Sequence, residues 1–176
     1  IALMKMHLCH LAVVATLFLQ NVQAQTPAID SLRNTLKQHP PKDTLYLQSL
    51  IQLAGKVRNV DMAQSVELYQ EAIALSRDLS AVKFEIKAHN GLGICYGMHD
   101  RYPESIQIFN KALQLALDNH YLVYAGDNYN NLGIVYKQIG DYPKSLSYYA
   151  KSMQIFDSLN NEGGVASGCD NMGILF

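Results

Sequence analysis

Charge is scarce in this 176-residue sequence: only 16% of its residues are charged, and the formal net charge is −1. Without an excess of Lys and Arg there is no electrostatic footprint for a nucleic-acid groove or an anionic membrane surface. Cysteine is scarce too. Of the three cysteines, Cys9 falls in an N-terminal leader, which leaves Cys95 and Cys169. These two stand nearly two repeat units apart, too far for a bridge that needs Cα atoms within about 7 Å. Each is expected to be a free, buried thiol. Long apolar runs are missing as well. The strongest, Leu11 to Leu19, is about half of the roughly 20 residues that a membrane-spanning helix needs. With Lys5 before it and Val22-Gln23-Ala24 after it, this run reads as a secretory signal peptide over residues 4–24, cut after Ala24. Export to a periplasmic or extracellular space is the expectation, and Ile1 to Leu3 are set aside.

Catalytic signatures are also wanting. Gly91-Leu92-Gly93 begins like a dinucleotide fingerprint, but Tyr96 takes the third glycine position and no strand precedes it. Gly164 to Gly168 encloses Ser167 without the Gly-x-Ser-x-Gly spacing of a nucleophile elbow. His89, Cys95 and His99 lie close in sequence, yet no fourth metal ligand accompanies them. The segment is therefore expected to be non-enzymatic, with no cofactor and no metal.

What the chain does have is a repeat. Shifting it by forty places Leu92, Gly93, Ile94 and Tyr96 on Leu132, Gly133, Ile134 and Tyr136, and Ser105 and Phe109 on Ser145 and Tyr149. The same shift carries Asn131, Gly133 and Ile134 onto Asn171, Gly173 and Ile174. Units run over about 44–80, 81–120, 121–160 and, as half a unit, 161–176. Phe176 falls inside a first helix, so the parent chain is expected to be longer. Each unit holds two helices. In the first, Ala125, Tyr129, Leu132, Gly133 and Tyr136 recur at helical steps, and in the second Leu146, Tyr149, Met153 and Phe156 do so. Pro103 and Pro143 suit the first position of the second helix, and Gly140 suits the end of the first. Residues 25–43 carry Ile29, Leu32 and Leu36 ahead of His39-Pro40-Pro41. They form either a short helix that caps the first unit or a leader with no fixed place.

A glycine inside a helix costs about 1 kcal/mol relative to alanine, yet Gly93, Gly133 and Gly173 each sit on a core stripe. The expected reason is space. Without a side chain the helix has a notch into which Phe109, or Tyr149, can place its ring, with a small serine alongside. A buried ring contributes roughly 1.5–3 kcal/mol, enough to offset the glycine. Tyr96 and Tyr136 are expected to join this core.

The stretch LGIVYKQIGDYPKSLSYYAKSM, Leu132 to Met153, resembles a tetratricopeptide repeat in its longer, roughly 40-residue form, against the usual 34. Exported bacterial members and sensor N-terminal regions are similar. Departures are Ser65, Ser105 and Ser145 where alanine is commoner, and Ala54 where later units have glycine. The resemblance implies an all-α solenoid of antiparallel helix pairs, a right-handed superhelix whose first helices line a concave groove. On that face would lie Asp127, Asn130, Asn131, Ile134 and Gln138, with Lys87, Asn90, Gly91 and Ile94 before them and Ser167, Asp170, Asn171 and Ile174 after. The family's asparagine ahead of Leu-Gly grips a bound peptide, and here it matches Asn131 and Asn171. An amide can donate to and accept from an extended main chain; alternatively, the asparagines bond only to one another. The implied partner is a protein or peptide, with no nucleic acid, and with a membrane only if an anchor follows Phe176. Two functions fit: an exported binding scaffold, or the input region of a larger signalling protein.

Overall fold

The computed structural model describes residues 27–38 and 43–173; the expected leader, residues 4–24, lies outside them. A helix, α1, covers residues 27–38. Seven more follow: α2 (Thr44–Val57), α3 (Met62–Asp78), α4 (Val82–Met98), α5 (Tyr102–Asp118), α6 (Leu122–Ile139), α7 (Tyr142–Ser158) and α8 (Glu162–Gly173). No strand occurs among the described residues. From α2 onward, each helix packs on the next. The first helices of the units, α2, α4, α6 and α8, also touch in series, whereas α3, α5 and α7 do not touch one another. The array is thus tighter on the first-helix side, which makes that side the inner, concave wall. Leu36 of α1 packs against the core of the first unit, as a cap would.

The notches hold rings. A methyl group built on Gly93 would come within 2.7 Å of the Phe109 ring, and one on Gly133 within 2.5 Å of Tyr149. Both are closer than carbon atoms tolerate, so only glycine fits. Beside each notch, the serine that replaces alanine has a bond to make. Ser65 Oγ donates to the Ala54 carbonyl, Ser105 Oγ to Gly93 and Ser145 Oγ to Gly133, each at 2.8 Å. These buried hydroxyls latch the second helix of a unit onto the first at its notch, each bond contributing about 1 kcal/mol.

The turns are as regular as the notches. Left-handed residues recur every twenty positions: Ser80, Asp100, His120, Gly140 and Asn160, with φ of 52°, 58°, 59°, 86° and 53°. Each closes a helix in the same way. The amide of the next residue reaches back five positions, as from Ala81 to the Ser76 carbonyl at 2.8 Å and from Asp141 to Tyr136 at 2.9 Å. The left-handed residue itself bonds three back, completing a Schellman motif. Only the turn after α6 uses glycine for this. The first turn differs: Asp61 bonds to the Val57 carbonyl at 2.8 Å and no left-handed residue is needed. Pro103 and Pro143 occupy the second helical position, not the first. Their missing amide hydrogens are equally harmless there, since the whole first turn lacks intrahelical acceptors.

Several expected core positions lie elsewhere. Gly173 is exposed with nothing within 4 Å, because rings reach these notches from the following helix and none follows α8 among the described residues. For the same reason Cys169 on α8 is exposed, while Cys95 is buried. Tyr96 and Tyr136 are half-buried, and the sealed positions are their neighbours Cys95 and Val135. A phenol tip is poorly served by an apolar interior. These two rings instead lie under cations, Arg101 at 4.7 Å and Lys144 at 5.1 Å. Tyr129, Leu146 and Met153 are likewise half-buried.

Candidate functional site: the inner face of α4, α6 and α8

The polar stripe expected on the inner face exists, but most of its amides are already in use. Asn90 Nδ2 donates to Asn128 Oδ1 at 3.3 Å, joining α4 to α6. Asn171 Nδ2 donates to Asn130 Oδ1 at 2.9 Å, joining α6 to α8. These pairs act as rungs between neighbouring first helices, so Asn90, Asn130 and Asn171 are ties before they are grips. Asn128 was not legible in the sequence. It is 0% exposed, and while its Oδ1 accepts from Asn90, its Nδ2 donates to the Tyr124 carbonyl at 2.7 Å. The only hint was its place in the polar run Asp127 to Asn131, where unit two has Ala88 at the matching site. Lys87 rests its ammonium 5.6 Å from the Phe84 ring centre. Asp127 is half-buried, and that burial raises its carboxyl above the ordinary range.

Gly91 departs most from expectation. Placed in the groove by the repeat, it is instead buried, and a methyl group there would overlap the Tyr69 ring of the preceding unit. Unit one explains this. Its notch position is Ala54, which shares a buried cluster with Tyr69. With a methyl already in place, the ring leans across the unit boundary, and Gly91 of α4 makes room for it.

Asn131 is the stripe asparagine left free. Half-buried and without a side-chain partner among the described residues, it stands on the rim of a cleft of about 280 Å³ between α4 and α6. Ile94, Phe109, Ile134 and Val135 line its apolar interior, and Gln138, Met98 and Tyr102 complete the rim. Met98 is 52% exposed, an adaptable apolar lip. The arrangement joins an apolar recess to two amides that can each donate and accept. None of the lining residues is charged. Among the described residues no group of three or more His, Cys, Asp or Glu side chains is placed to hold a metal.

A family profile for the tetratricopeptide repeat matches residues 84–158, from α4 to the end of α7. These units are tetratricopeptide repeats. The fold is shared with solved structures of low identity. BtubC from P. vanneervenii is 20% identical with a TM-score of 0.71, over 88% of this chain and 63% of that one. Aspartyl phosphate phosphatase F from Bacillus subtilis is 14% identical with a TM-score of 0.74, over 84% and 40%. PlcR from Bacillus thuringiensis, solved with the peptide PapR7 and DNA, is 19% identical with a TM-score of 0.68, over 82% and 53%. The chain thus spans less than two thirds of each of these three proteins. No curated protein sequence matches it. A tetratricopeptide array is a scaffold for protein interaction.

Proposed function

We propose that the array holds an extended peptide segment of a partner protein along its inner face, without a chemical step of its own. One apolar side chain of the peptide would sit in the cleft between α4 and α6, and Asn131 and Gln138 would pair with its main chain. The observation that carries this is the free Asn131 amide beside an unfilled apolar recess. Recognition of an internal segment suits the cleft better than recognition of a chain end, because no cation lines it to receive a terminal carboxylate. Residues 4–24 support export, so the partner would be met outside the cytoplasm. A second reading, an input module for a larger signalling protein, draws support from the fold shared with PlcR, of which this chain spans 53%.

Selection of a random peptide library on the immobilised full chain tests the proposal. Enriched peptides should share one apolar anchor and lose about tenfold in affinity, equal to about 1.4 kcal/mol, on Asn131→Ala with helicity unchanged. Peptides that bind Asn131→Ala and Ile134→Glu as tightly as the native array would contradict it.

A further inference from the structure

The outer side of the array carries a second recess, of about 240 Å³, over α4 between α3 and α5. Arg77, Glu85, His89 and Lys111 line it, with Gln114 and Leu115. His89 is 3% exposed. Its Nδ1 lies 3.0 Å from the Glu85 carbonyl, an oxygen that can only accept, so Nδ1 carries the proton. Burial, with Arg77 and Lys111 nearby, lowers the pKa of the ring and keeps it neutral. Nε2 is therefore a bare acceptor with no protein partner, on a ring that lines the recess. Arg77 spends only Nε on Glu85, at 2.6 Å. Its two terminal nitrogens and the Lys111 ammonium have no partner among the described residues. Glu85 is the one acid in the recess, and Arg77 already neutralises it.

The matching place in the next unit is filled differently. Tyr129 stands where His89 does, and Lys151, the counterpart of Lys111, lies 5.7 Å from the Tyr129 ring centre and 5.3 Å from that of Tyr148. That lysine is occupied by rings. Of these two units, it is unit two that turns cations and a bare imidazole nitrogen toward one recess.

The geometry points to a site for inorganic phosphate at this recess. Two cations suit its charged oxygens, and the Nε2 lone pair requires a ligand that still carries a proton. Both forms of inorganic phosphate near neutral pH carry one, whereas sulfate carries none. A phosphate ester, with its second pKa near 6, is largely unprotonated there.

Titrations of the full chain at neutral pH and matched ionic strength, followed by histidine ring resonances, test this. Inorganic phosphate should shift the His89 signals, with sulfate and phosphoserine each about tenfold weaker, as expected for loss of one hydrogen bond to a charged group. Lys111→Ala, at an exposed position that leaves the fold intact, should also weaken phosphate about tenfold. Equal shifts from sulfate, or unchanged binding by Lys111→Ala, would overturn the site. Tighter binding of phosphoserine than of phosphate would overturn its assignment to the free ion.

Discussion

In the second and third units the ring of the outer helix rests on a glycine of its own unit, Phe109 on Gly93 and Tyr149 on Gly133. In the first unit Ala54 closes that notch, and Tyr69 rests on Gly91 of the next unit instead. The comparison separates two things that the repeat pattern merges. A ring between helices is the fixed requirement; which backbone yields to it is negotiable, provided one of them does. The substitution from glycine to alanine in one unit is matched by a glycine in its neighbour, so packing is balanced across the boundary as well as within a unit.

Blocking a notch should give the largest effect. Gly133→Val places a branched side chain against the Tyr149 ring and is expected to cost about 3 kcal/mol or more, read as a lower urea midpoint. Gly173→Val, at the notch with no ring, should cost far less. Equal costs would show that helix propensity, not the ring, sets the value of these glycines. Removing a latch comes next: Ser105→Ala and Ser145→Ala should each cost about 1 kcal/mol. The same change at Ser65 tests whether the latch works equally well on Ala54.

A smaller effect separates the units by pH. His89 has its pKa lowered in the fold, so the unfolded chain binds the proton more readily. Stability should therefore fall as pH drops below the ordinary value of 6.5 toward the lowered one. His89→Tyr, which copies Tyr129 of the next unit, should flatten that part of the Tm profile; an unchanged profile would count against a buried neutral ring. The smallest effect is expected at Tyr149→Phe. The buried Tyr149 hydroxyl has no hydrogen-bond partner among the described residues. Phe109 fills the same role in unit two without one. This change should leave stability level or raise it by less than about 1 kcal/mol; a clear loss would reveal a partner for that hydroxyl.

Much of the fold was legible because the repeat reports on itself. Glycine, serine and ring recur at one interval, and that interval fixes which helices pair. The inner face was less legible. A stripe of asparagines looks the same in sequence whether the amides face a ligand or one another, and only the cross-helix distances separate Asn90, Asn130 and Asn171 from Asn131. Gly91 was misplaced because periodicity assigns a residue to a face of its own helix and says nothing of a ring arriving from the unit before. The left-handed turns at Ser80, Asp100, His120 and Asn160 were hidden because none of them is glycine.

The balance between Ala54 and Gly91 can be measured directly by urea unfolding of the native chain, Ala54→Gly, Gly91→Ala and the double variant. Gly91→Ala should be costly alone and much less so beside Ala54→Gly, where Tyr69 can return to its own unit, giving a coupling of about 1 kcal/mol or more. Additive costs would mean that Tyr69 does not choose between the two notches, and would contradict the account.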